Sequence, residues 1–298
     1  MKWNEVFCNT FQSIGREIGL DVQMVEGNLT CMPLDPDDPR YSTDFILPSM
    51  KMVEACRAND FDFFRPWIEA GRITVEQMHR ACQRYHLGKT KSGQPIFWMI
   101  DDMMQPLDAR IGTTWISELL KQREPLLEYW HVQHCLFGLH LLCHTDPTDL
   151  TDNGCVAAFP PYPLENKSSF AEQKKSVRSK RSVCENKNIC VVESEASAVV
   201  LSALFPESIW MAYATTPHLT PDLFAPLEGQ TVIIYPRTDP ILSTYLFFRE
   251  LVDQTLRLYD LDLSVDTTLE DHATEDQKER EIDLVDFLLE NNAIIPPE

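Results

Sequence analysis

Residues 188–239 read NICVVESEASAVVLSALFPESIWMAYATTPHLTPDLFAPLEGQTVIIYPRTD, and their pattern decides the fold. A short apolar run, Ile189 to Val192, stops on the carboxylate of Glu193. A helix-like segment follows from Glu195 to Phe205, then a second apolar run from Ser208 to Tyr213. A third run, Thr231 to Tyr235, ends at Pro236 and leads into Arg237-Thr238-Asp239. Strands that alternate with helical segments imply βαβ units and a parallel sheet, hence an α/β fold. In such sheets the residues just past the carboxyl ends of the strands face the ligand crevice. Glu193 and Asp239 occupy such ends and are the first candidate functional residues.

Beyond this stretch, Pro240 suits the first turn of a helix. Leu242, Tyr245, Leu246, Val252 and Leu256 give that helix an apolar face, widened by Phe248 and Leu251. Leu261 to Val265 alternates like a half-buried closing strand. The acidic run from Asp266 reads as a solvated linker, and Ile282 to Leu289 as a helix that packs on the body or on a partner.

Before it, Trp3, Val6, Phe7, Phe11, Ile14 and Ile18 recur at helical spacing. The Pro- and Asp-rich stretch from Cys31 reads as an irregular connector. Helical patterns resume from Leu47 to Ala58 and from Phe61 to Gly71. Thr74 and Gln77 have the spacing of a capping box. Ser92-Gly93 marks a hairpin turn before a strand from Ile96 to Ile100, and Trp115 to Leu120 returns to helical spacing.

The 298-residue chain carries a formal charge of −20. That balance opposes whole-surface binding to nucleic acid, because phosphate neutralisation needs Lys and Arg. The concentrated positive charge is Lys174, Lys175, Arg178, Lys180 and Arg181, which reads either as a solvated linker or as a phosphate-contacting arm. Nine cysteines without a CxxC pair read as reduced thiols. With no run of about 20 apolar residues, no membrane association is expected, and the location expected is cytoplasmic. His131 and Cys135, and His140 and His144, are each four residues apart, a spacing that invites a zinc check. The leucines between them, split by Phe137-Gly138, favour a core-packing segment with incidental histidines, so zinc is not expected.

The central unit resembles a Toprim domain, the small α/β module of primases, topoisomerases and related nucleases. In that family one strand ends in Glu and a later one in an Asp-x-Asp pair. The resemblance sets Glu193 on the family's glutamate and Asp239 on the second aspartate. QRYHLGKTKSGQPIFWMID, CLFGLHLL and VVESEASAVVLSALFPESIWMAY are together similar to a family of primase-like, Toprim-containing proteins of bacterial mobile elements, over roughly Phe61 to Arg249. The resemblance implies a Toprim-like, Rossmann-related domain at 188–265. An α+β primase-like region at 1–145, a linker with the basic cluster at 146–187, and an acidic tail with a helix at 266–298 complete the expected division.

The sequence departs from the family at Arg237, where the pair has its first aspartate. Toprim chemistry depends on carboxylates that hold Mg2+, a hard cation that takes oxygen ligands. A guanidinium there reverses the sign of one ligand, and Arg237 is expected to pair with Asp239 or Glu193 in the metal's place. The expected function is therefore nucleic-acid or replication-partner binding with a degenerate metal site, with Arg237 itself a second candidate phosphate ligand. One rival is an active Mg2+-dependent primase or nuclease, with Glu193 as acid/base or metal ligand, Asp239 as ligand and Glu195 as a substitute ligand. The other is a protein-interaction module that uses the acidic tail and terminal helix. A further reading makes Glu193 or Glu195 a cap for the helix that follows.

Overall fold

The structure is a computed structural model that describes residues 50–58, 61–123, 134–143, 188–214 and 219–291. Its centre is a parallel sheet of β5 (Ile189–Val192), β6 (Ile209–Ala212), β7 (Thr231–Ile234) and β8 (Asp262–Val265). The strand order is β6-β5-β7-β8, with every neighbouring pair parallel. Strand β5 is buried along its whole length, as a continuous Ile-Cys-Val-Val run in a sheet covered on both faces must be. Alternate residues of β5 point to opposite faces: Cys190 and Val192 join one core cluster, Ile189 and Val191 the other.

Helix α5 (Glu195–Leu204) links β5 to β6 on the first face. The return from β6 to β7 passes through a 3-10 segment, Pro221–Leu227, on the second face, where α6 (Ser243–Leu258) also packs. The chain therefore leaves β5 in one direction and returns on its other side. The point between β5 and β7 is the topological switch of the sheet, where open α/β folds form their crevice.

Residues on the amino-terminal side build a four-stranded antiparallel sheet, β1 (Gly88–Lys89), β2 (Pro95–Ile100), β3 (Pro106–Ile111) and β4 (Thr114–Trp115). Around it lie α1 (Met50–Cys56), α2 (Arg65–Glu69), α3 (Val75–Arg84) and α4 (Ile116–Arg123). The hairpin and the Thr74–Gln77 capping box form as the residue types predict. Strand β3 is an addition to the sequence reading; its Asp108 and Arg110 interrupt the apolar pattern that marks the other strands.

One core spans both sheets. Met78, Ala81, Cys82 and Tyr85 pack with Ala198, Val199 and Leu201, and the Tyr85 hydroxyl donates to the Trp210 carbonyl. The segment 134–143 closes the outer edge of β6, which would otherwise expose unpaired backbone groups. Phe137 exchanges both backbone hydrogen bonds with Ala212, at 2.8 and 3.1 Å. Gly138 follows at φ 86°, and a Cβ there would stand 3.0 Å from the Trp210 carbonyl oxygen, so any other residue is strained there. His140 is buried, with Nε2 3.1 Å from the Arg84 carbonyl. Burial first, then His86 and Arg84, push its pKa down to about 3, so it packs as a neutral ring. His131 and His144 lie outside the described residues, as do Lys174, Lys175, Arg178, Lys180 and Arg181 of the basic cluster.

Two further readings differ from the structure. The helix predicted from Pro240 starts at Ser243, because the Asp239 carboxylate takes the backbone N–H groups of Ile241, Ser243 and Thr244 and fixes the turn before it. The acidic run after Asp266 contains α7 (Thr268–His272) and α8 (Glu275–Glu279), the latter opened by a Thr274–Gln277 capping box. The final helix, α9 (Leu284–Glu290), buries Leu284, Val285 and Leu288 in the same core as α5. Among the described residues, no helix is long and apolar enough to cross a membrane.

Candidate functional site

Glu193 and the loop 235–242 meet at the switch point because both continue directly from paired strands. Tyr235 N–H donates to the Val191 carbonyl and Ala214 N–H to the Glu193 carbonyl, so three strand ends are held at one level. The Arg237 guanidinium lies with Nε 3.4 Å from Glu193 Oε2 and Nη1 3.4 Å from Glu281 Oε2. The expected pairing of Arg237 with one of two carboxylates thus resolves in favour of Glu193, and Glu281 joins from the segment before α9. Arg237 is 41% exposed, so water competes for these pairs and they add little to stability. Their consequence is positional: a positive charge stands between two carboxylates at the carboxyl end of the parallel sheet.

Asp239 is turned into its own loop. One oxygen accepts from the N–H groups of Ile241 and Ser243, and the other from the Ser243 hydroxyl and the Thr244 N–H, at 2.7 to 3.0 Å. Burial alone would raise its pKa, but the N–H groups of Thr244, Ser243 and Ile241 hold it well below the usual carboxylate range. A carboxylate has about four lone-pair positions, and these contacts fill them.

Glu195 is also committed. It is 4% exposed, and Arg110 Nη1 lies 3.1 and 3.0 Å from its two oxygens while also donating to the Ala214 carbonyl at 2.8 Å. Burial raises the Glu195 pKa and Arg110 opposes that rise. This contact ties β3 to the carboxyl edge of the parallel sheet. Capping of α5 falls to Ser194, whose side chain accepts from Ser197 N–H, rather than to Glu193 or Glu195.

The three carboxylates weighed as Mg2+ ligands are therefore held by a guanidinium, by backbone N–H groups, and by a second guanidinium. Among the described residues, no group of three or more His, Cys, Asp or Glu side chains is placed to hold a metal.

Other residues complete the edge without a local sequence signal. Tyr213 is buried beside Glu193; burial first, then that carboxylate, holds its phenol well above the ordinary value. Glu270, on α7, lies near Thr238 and Asp239, and burial raises its pKa. Lys278 Nζ stands 3.8 Å from the Glu270 carboxylate and donates to the Glu270 carbonyl. The Thr238 N–H donates to the Ile282 carbonyl, which lays the carboxyl-terminal segment along the loop. Ala214, Leu242 and Glu281, all around this edge, have left-handed backbone at φ 64°, 61° and 53°. Such strain in non-glycine residues persists where surrounding contacts over-determine it.

A family model described as a domain of unknown function (DUF6371) matches residues 180–238, a stretch that holds Glu193 and Arg237 and stops one residue before Asp239. No curated protein and no solved structure matches the chain.

Proposed function

We propose that this chain is a Toprim-like, primase-related protein of a bacterial mobile element that binds nucleic acid or a replication partner and transfers no phosphoryl group. The observation that carries this reading is the Arg237 guanidinium on Glu193, at the switch point where a Toprim enzyme needs a cation held by carboxylates. The parallel β6-β5-β7-β8 sheet, with its Glu after the central strand, supports the Toprim-like part. With a chain charge of −20, contact with phosphate falls to the basic cluster Lys174, Lys175, Arg178, Lys180 and Arg181.

The test pairs two measurements on the full chain. Metal-dependent primer synthesis and nicking should be absent, and identical for the parent and Glu193→Gln. Fluorescence anisotropy with a short single-stranded oligonucleotide should show binding that weakens steeply with salt and is lost when the five basic residues are replaced by alanine. Mg2+-dependent turnover abolished by Glu193→Gln would overturn the non-catalytic reading. Absence of oligonucleotide binding would remove the nucleic-acid arm and leave the replication partner.

A further inference from the structure

Helix α6 carries two apolar faces, and the fold uses one of them. Phe248, Leu251, Val252 and Thr255 are buried against the sheet. Leu242, Leu246 and Leu256 are instead exposed, at 41%, 59% and 44%, although the sequence reading assigns them to the core face. Leu242 is the residue before the helix; within it, Leu246 and Leu256 form with the exposed Arg249 and Asp253 the series Leu246, Arg249, Asp253, Leu256, at spacings of three, four and three residues. That alternation is the spacing of a coiled-coil seam, with a leucine at each end and an Arg–Asp pair at its centre. At 3.6 residues per turn, the seam is rotated about 135° from the buried face, so one helix presents both without conflict.

We propose that this seam docks against α6 of a second copy of the chain, antiparallel about a two-fold axis at the level of Leu251. Antiparallel seams match each a-type position with a d-type position of the partner helix. Here Leu246 meets Leu256 of the second copy, and Arg249 meets Asp253 of the second copy; the two-fold axis repeats both contacts. A parallel pairing would set Arg249 against Arg249 and Asp253 against Asp253, so the charge pattern selects the antiparallel one.

Charge also explains why the contact falls here. The chain as a whole carries −20, which drives copies apart, but α6 holds two arginines, Arg249 and Arg257, against two acids, Glu250 and Asp253. Its net charge is zero. Tyr245 steadies Arg249, whose guanidinium carbon lies 6.0 Å from the ring centroid. The helix is about 24 Å long at 1.5 Å per residue, so the seam is smaller than a standard interface and the dimer depends on concentration. Antiparallel pairing also sets the two crevices at opposite ends of the helix pair, since each α6 starts beside its own Asp239.

Sedimentation velocity on the full chain across a concentration series tests the proposal. The parent should shift from monomer to dimer, and Leu246→Asp should remain a monomer with an unchanged circular-dichroism spectrum. Arg249→Glu and Asp253→Arg should each weaken dimerisation at least about tenfold, and the double variant should recover it. A parent that stays monomeric throughout would overturn the proposal. A dimer indifferent to Leu246→Asp, or a double variant no better than either single one, would overturn it equally.

Discussion

At the scale of single residues, charges in this protein are decided by how much water reaches them. Arg110 and Glu195 meet where water is excluded, so each depends on the other. Arg110→Met keeps the packing of the stem but leaves a buried carboxylate unpaired, and should cost about 3–5 kcal/mol in urea unfolding. Glu195→Gln in that background should recover part of the loss, because an amide carries no charge. Asp108 makes a pH-dependent case. Burial lifts its pKa to about 6 from 3.8, against the opposing pull of Ser117 and the Ala109 N–H. A raised folded-state value means that its contribution to stability is complete below the unfolded value of 3.8 and is lost as pH rises through about 6. Asp108→Asn should remove that slope from the stability–pH profile while it keeps the hydrogen bonds to Ala109 and Ser117.

At the scale of elements, residues nominated as functional candidates also build structure. Asp239 is the clearest instance. Asp239→Ala removes the acceptor that fixes the start of α6 and should cost about 2 kcal/mol, read from thermal or urea unfolding. Because its folded pKa is depressed, the stability it supplies is present above the ordinary carboxylate pKa and is lost as the group protonates on acidification. At the edge of β6, Gly138→Ala should destabilise by about 1–3 kcal/mol, since the left-handed φ is joined by contact with the Trp210 carbonyl.

These elements also show what the sequence made legible. The strands of residues 189–192, 209–212, 231–234 and 262–265 announce themselves by short apolar runs, and the Thr74 capping box by its spacing. Strand β3 does not, because Asp108 and Arg110 serve contacts distant in sequence: Ser117 for one, Glu195 for the other. The face of α6 that enters the core was equally hidden, since both faces are apolar and only the sheet selects between them.

At the scale of the molecule, the switch point between β5 and β7 gathers Glu193, Arg237 and Asp239, and adds Glu281, Glu270 and Lys278 from the carboxyl-terminal segment. Those additions were out of reach of local pattern, because a charged run reads as solvated until the fold lays it against a loop. The acidic tail is part of the body: Ile282 pairs with Thr238, and Asp283 accepts a hydrogen bond from Ser197. In the function proposed above, the Arg237 guanidinium, beside Glu193 and Glu281, takes the place of a catalytic cation. The most direct test of that replacement is a Mn2+ titration followed by paramagnetic broadening of amide resonances in the parent, Glu193→Gln and Arg237→Asp. The account predicts no localised broadening at Glu193 or Asp239 in the parent. Stoichiometric broadening there, lost in Glu193→Gln, would contradict it.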